Sequence, residues 1–357
     1  MKLFSKTLVA LATSMSLMVA GASSVNAEEK KEFKLAWSIY VGWMPWGWAA
    51  DQGIVDKWAD KYDIEIEVVQ FNDYIESINQ YTAGAFDGVT ATNMDTLAIP
   101  SVGGVDTTAL IVGDFSNGND ALILKDADSL DAVLGQNVNL VELSVSHYLL
   151  ARALETLGKA EKDVAVVNTS DADMIAAYQT DDVTAVVTWN PLVAEILEIP
   201  GANKVFDSSD IPGEIMDLTV VNTETLADNP AFGKALAGAW YETMSIMLSD
   251  TPEGAAARAA MGEASGTDLA GYDMQLASTQ MFATASDAVT FTTSESVTST
   301  MESVRTFLFE RGLLGDGASS PDIVGIAFPD GSVLGDEGNV KFRFNADYMS
   351  MAADGSL

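Results

Sequence analysis

The chain has 357 residues, of which 52 are acidic, 18 basic, one a histidine and none a cysteine, giving a net charge of −34. Such a field repels polyanions, so nucleic acid is excluded as a partner, and without cysteine there are no disulfides, thiol nucleophiles or lipoprotein-type anchors. The acidity fits either a solvated surface suited to saline surroundings or a field that favours cationic ligands.

Residues 1–27 read as a secretory leader. Lys2 and Lys6 make its positive start, 8–20 is mostly apolar, and Val25-Asn26-Ala27 supplies a small-residue cleavage pattern. Thr13, Ser14 and Ser16 interrupt an apolar run that already falls short of the roughly 20 residues a membrane span needs. No later segment has the length or apolarity to span. The mature chain is expected to be exported and soluble, with a charge of −36 once the two leader lysines are gone. It is longer than one core usually organises, which predicts two lobes.

Strand and helix patterns then alternate. Residues 33–37 form a short strand, 48–62 has helical spacing, 64–69 alternates with period two, 73–83 is helical and 88–92 is strand-like. A helix from Asp95, strands at 108–112 and 121–124, a helix from Ser129 and a strand at 137–141 follow, then a strand at 183–188. Beyond Asn222 the pattern is mainly helical, over 232–249, 252–263, 268–282 and 294–311, and the glycine- and aspartate-containing C-terminal part reads as coil covering a helix. Repeated β-α-β alternation predicts an α/β fold with parallel sheets, whose ligands sit beyond the carboxyl ends of the strands.

Those strand ends carry the candidate chemistry. Trp37-Ser-Ile-Tyr-Val-Gly-Trp-Met-Pro-Trp-Gly-Trp48 holds four of the chain's seven tryptophans. Aromatic faces at a strand end hold planar or cationic ligands by stacking and cation–π attraction, about 0.5–2 kcal/mol per contact. Each ring could equally pack a helix onto a sheet. Trp37, Trp43 and Trp46 are the aromatic candidates; Gly42, Pro45 and Gly47 predict a turn that favours Trp43 and Trp46 over Trp37, whereas Trp48 suits the core. Asn93 and Asp95 follow one strand, and Asp95 could serve as a helix N-cap instead. Asp114 follows another, and Trp189-Asn190-Pro191 ends a third. Residues 114–120 partly match a calcium loop, but the spacing is wrong and no Glu closes it, so no metal is expected. His147, with no cysteine beside it, cannot build a usual zinc site or a Cys–His pair, and no cofactor motif appears.

Three segments carry a family resemblance. Ser144-Val-Ser-His147 leading into a Leu-rich helix, Asp173-Met-Ile-Ala-Ala-Tyr178, and Ala185-Val-Val-Thr-Trp189-Asn-Pro191 resemble the nitrate/sulfonate/taurine group of periplasmic substrate-binding proteins of ABC importers. Residues 74–87 look like a further segment of that family. The resemblance implies a bilobal periplasmic binding protein fold of type II, two parallel-sheet lobes joined by two crossover strands, with 28–117 and 222–357 in one lobe and 118–221 in the other. It also implies a monomer without enzymatic activity that closes over a small molecule and docks on a membrane permease. Asp217, where the chain returns to the first lobe, would contact ligand only on closure, with Glu214 as its neighbouring alternative.

One departure bears on the ligand. Sulfonate-binding relatives open the second-lobe helix with a Gly-Ser turn whose free N–H groups suit an oxyanion, whereas this chain reads Glu142-Leu143-Ser144. Glu142 there either faces a cation or simply stabilises the helix dipole by roughly 0.3–1 kcal/mol. With the aromatic loop and Trp189-Asn190-Pro191, this pattern is similar to the branch associated with urea carboxylase, which implies guanidine, urea or a short amide as cargo. Guanidinium would take carboxylates and a Trp face; urea would need a carbonyl partner such as Asn93 or Asn190. The alternatives are a sulfonate, taurine or nitrate receptor, an enzyme of the pyrimidine-precursor type on the same fold, and a receptor that signals to a sensor kinase.

Overall fold

In the computed structural model, which describes residues 30–315 and 317–357, the strands fall into two sheets. The leader expected over 1–27 lies outside the described residues. In chain order the strands are β1 (Glu32–Ser38), β2 (Glu65–Phe71), β3 (Gly88–Thr92), β4 (Thr107–Ser116), β5 (Ala121–Lys125), β6 (Asn137–Leu140) and β7 (Ala165–Asn168). They continue with β8 (Ala185–Thr188), β9 (Ala202–Asp207), β10 (Met216–Asn222), β11 (Thr279–Met281), β12 (Gly325–Ala327), β13 (Val333–Leu334) and β14 (Val340–Phe344). One sheet runs β13-β12-β14-β4-β10-β3-β1-β2 with β11 on β4, and the other runs β7-β6-β8-β5-β9.

The chain crosses between the sheets twice, through residues 117–120 and 208–215. The parallel pairing expected from the β-α-β alternation holds within β3-β1-β2 and β7-β6-β8. It breaks at the strands beside the crossings: β10 runs antiparallel to β3 and β4, and β5 runs antiparallel to β8 and β9. A strand that carries the chain back from the other sheet arrives from the opposite end, so both sheets are mixed.

Tertiary pairing also moves several boundaries. Helix Met44–Asp51 starts four residues earlier than its spacing predicts, because Pro45 sits in the first turn, where its missing N–H costs nothing. Gly53, at φ 69°, then breaks the expected single helix, and Ile54–Lys61 follows. β4 runs on through Gly113 and Asp114, where a loop was predicted, since Asp217 of β10 and Met281 of β11 both pair with Asp114. The helix expected from Ser129 is only a 3₁₀ turn, Leu130–Val133. The C-terminal part is ordered rather than coil: β14 pairs parallel with β4, Phe342 opposite Thr107, and helix Asp347–Asp354 follows.

The main core lies between the larger sheet and its helices. Phe33 of β1 stacks on Phe232 of helix Pro230–Met247 at 4.6 Å between ring centroids. Trp46 and Trp240 meet at 5.2 Å in the same layer.

Candidate functional site

Where strand ends of the two sheets converge, eight side chains surround a narrow cavity of about 10 Å³, room for about one water: Tyr40, Trp43, Tyr74, Thr92, Asp120, Val145, Trp189 and Asp217. Tyr40 and Trp43 follow β1, Thr92 ends β3 and Trp189 follows β8. Tyr74 and Val145 open helices Tyr74–Thr82 and Val145–Thr156. Asp120 lies on the first crossing, and Asp217 is the second residue of β10 after the return crossing.

The aromatic walls form a chain of ring contacts. Tyr40 meets Trp43 edge to face at 4.9 Å, Trp43 meets Tyr74 at 5.5 Å, and Tyr74 meets Trp189 edge to face at 5.7 Å. Gly42 makes the first turn possible, since a Cβ there would sit 2.5 Å from the Tyr40 ring and 2.6 Å from Asp114 Oδ2. Beside Tyr74 the two halves touch: Ser170 Oγ donates to Asp73 Oδ2 at 2.9 Å.

The polar walls are carboxylates, and no basic side chain lines the cavity. Tyr40 donates its hydroxyl to Asp114 Oδ1 at 2.8 Å, Ser116 Oγ donates to Asp120 at 2.6 Å, and Tyr74 donates to Asp95 at 2.7 Å. Asp95 Oδ1, Asp114 Oδ2 and Asp217 Oδ2 are buried without a hydrogen-bond partner. Burial pushes Asp120 up to about 7 and Asp95 up to about 6. Asp217 rises well above the usual carboxylate range, through burial and then through repulsion from Asp114 and Asp120. Ionised carboxylates in such a place are costly unless a cation joins them.

Of the residues expected at the site, Trp43, Trp189 and Asp217 line the cavity. Asp114 and Asp95 stand directly behind it, hydrogen-bonded to its tyrosines. Asp95 is not an N-cap; Thr92 caps that short helix and accepts from the Asp95 N–H. The others are held elsewhere. Trp46 does not sit in a turn but lies inside a helix, fully buried, donating Nε1–H to Thr219 Oγ1 at 3.1 Å. Trp37 packs on Gly47, where a Cβ would come within 2.4 Å of its ring. Asn93 clamps the return crossing, accepting from Met216 N–H at 3.0 Å and donating to the Glu214 carbonyl at 3.1 Å.

Glu142 is exposed and does not line the cavity, and Leu143 after it adopts φ 67°, a conformation few non-glycine residues take. Ser144 caps helix Val145–Thr156, accepting from Ser146 N–H. Asn190 donates its amide to Ser278 Oγ at 3.2 Å and accepts from the Ala194 N–H through Oδ1 at 3.0 Å. His147 accepts from Leu143 N–H and lies 2.9 Å from Glu161, outside the lining. Glu214 is bound by Arg152 and Tyr148. Sequence reasoning missed Tyr40, Tyr74, Asp120, Thr92 and Val145, although Tyr40 stands in the aromatic loop and Asp120 ends the same loop that carries Asp114.

Two mixed sheets joined by a double crossing, with a cavity at the seam, define the fold of the periplasmic binding proteins. The alkanesulfonate-binding protein SsuA from Xanthomonas axonopodis pv. citri shares it with a TM-score of 0.65 and 15% identity, over 81% of this chain and 96% of that one. The nitrate-binding protein NrtA from Synechocystis shares it with a TM-score of 0.56 and 14% identity, over 92% of this chain and 99% of that one. The chain belongs to the NMT1-like family, whose pattern matches residues 26–262. It is also 27% identical over 132 residues to the taurine-binding periplasmic protein of Escherichia coli K12, a match spanning 36% of this chain and 40% of that protein's length. Among the described residues no helix is long and apolar enough to cross a membrane.

Proposed function

We propose that the protein is an exported, monomeric solute receptor that hands a small nitrogen-rich cation of the guanidinium type to an ABC permease. The observation that carries this reading is the lining itself: two carboxylates and four aromatic rings with no basic group. A planar cation of a few heavy atoms would lie against the Trp43, Tyr74 and Trp189 rings and give its N–H groups to Asp217 and Asp120. An oxyanion such as nitrate or a sulfonate would find no basic group to pair with and would be repelled wherever Asp120 or Asp217 ionises. Urea finds its expected carbonyl partners occupied, since the Asn93 and Asn190 amides already donate within the protein.

The reading is of binding without chemistry, in which the ligand stabilises closure of two lobes about the crossings at 117–120 and 208–215. Because β10 pairs with β3 and β4, the second lobe ends at the return crossing and not at 221 as the sequence implies. The sole histidine stands outside the cavity, which argues against a catalytic role of the pyrimidine-precursor kind. Calorimetry and thermal melting with millimolar guanidinium, urea, choline, taurine and nitrate test the proposal. Guanidinium should raise the melting point, because a ligand bound only by the folded state stabilises it by mass action. Binding of taurine or nitrate with no response to guanidinium overturns it.

A further inference from the structure

Resting on the cationic reading of the site, we infer that Asp114 and Asp217 share a proton in the empty cavity and that the entering cation expels it to solvent. The two residues are directly opposed across the antiparallel β4–β10 ladder. Directly opposed residues of an antiparallel pair carry their side chains side by side on one face, and both are buried, with Asp114 fully enclosed and Asp217 only 3% exposed. Each keeps one oxygen without any protein donor. Two ionised carboxylates are acceptors only, so a bond between them needs a proton on one of them.

The groups packed around the pair supply no compensating charge. Tyr40, from the loop after β1, donates one hydrogen bond to Asp114. Asp120, from the first crossing, is a third buried acid beside both, and Asp95 lies beyond Asp120. Tyr272, from helix Leu269–Leu276, faces Asp114 but spends its hydroxyl on the Val41 carbonyl. Burial and this mutual repulsion raise both aspartates. When a guanidinium enters, its charge takes over the role of the proton. The bridging O–H bond breaks, the proton leaves to bulk water, and both carboxylates remain ionised against the cation, so charge is conserved.

The test is calorimetry of the whole mature protein with guanidinium chloride at pH 7, in buffers of different ionisation enthalpy. The expected result is a heat that depends on the buffer with a slope of more than one proton released per ligand, the part above one coming from Asp120, and an affinity that climbs with pH by at least about tenfold per unit below the pair's titration. Asp114→Asn should remove that proton while still binding the cation more weakly. Infrared difference spectra give a readout that does not depend on binding heats: over the band of Asp95 and Asp120, the ligand-free parent shows a protonated-carboxyl component that Asp114→Asn lacks and that guanidinium removes. Guanidinium binding with buffer-independent heat, a pH-flat affinity and no such band overturns the shared proton and leaves the cationic reading standing. Absence of guanidinium binding across pH 5–8 overturns the cationic reading, and the infrared band then decides whether the proton is held.

Discussion

Tyr74, the first residue of helix Tyr74–Thr82 behind the larger sheet, meets Trp189, which follows β8 of the smaller sheet, edge to face at 5.7 Å. This contact closes the cavity across the seam, and its geometry places the positive edge of one ring toward the face of the other. Trp189→Ala removes the second sheet's only aromatic wall of the cavity. The expected outcome is a loss of about tenfold or more in guanidinium affinity, in line with a cation–π contact of up to about 2 kcal/mol in a desolvated site. Titration calorimetry measures it, and an unchanged affinity would place the ligand elsewhere.

Trp46 offers the opposite test within the same aromatic segment. It is fully buried, bonded to Thr219 and packed on Trp240, so Trp46→Ala leaves a large void and an unpaired hydroxyl. The variant should lose about 3–5 kcal/mol of stability, read by denaturant unfolding. Whatever remains folded should bind ligand with close to the parent affinity, because Trp46 does not touch the cavity.

Glu142→Gln should change neither binding nor melting measurably. The side chain is exposed, and its backbone N–H rather than its carboxylate makes the local contact, donating to Asn168 Oδ1 at 3.0 Å. Surface substitutions of this sort fall within about 0.5 kcal/mol. A clear loss of guanidinium affinity would restore Glu142 to the site.

These contrasts mark how far the sequence could be read. Alternation of strand and helix patterns located seven of the fourteen strands, β1 to β6 and β8, and with them the strand ends that carry Trp43 and Trp189, since ligand sites in such sheets follow from topology, whereas Asp217 came from the expected return crossing. Which tryptophan turns inward was not legible, because it depends on Pro45 starting a helix at Met44 instead of closing a turn. Nor was the exposure of Glu142, beside a left-handed leucine at 143, a conformation seldom adopted by a non-glycine residue. Tyr74 looked like a helix residue of no special note; its place in the cavity depends on Trp189, 115 positions along the chain. The pairing of Asp114 with Asp217 likewise required the return of β10 beside β4.

Stability should depend on pH in a direction set by these buried acids. Asp120, raised by burial to about 7, and Asp95, raised to about 6, hold protons in the folded protein that the unfolded chain has already released above about pH 4. The folded state therefore binds more protons than the unfolded one between those values, and unfolding free energy falls as pH rises. The stabilising contribution is fully present below the unfolded carboxylate value and is lost as pH passes through 6 and 7. Melting of the ligand-free protein should accordingly occur at a lower temperature at pH 8 than at pH 5. Asp120→Asn, which cannot ionise, should flatten that slope. Saturating guanidinium should act against the trend, raising the melting point more at pH 8 than at pH 5, because the ionised carboxylates it pairs with are then already formed. A melting temperature that rises steadily from pH 5 to pH 8 without ligand, equally in the parent and in Asp120→Asn, would show that these carboxylates are solvated and ionised in the empty protein.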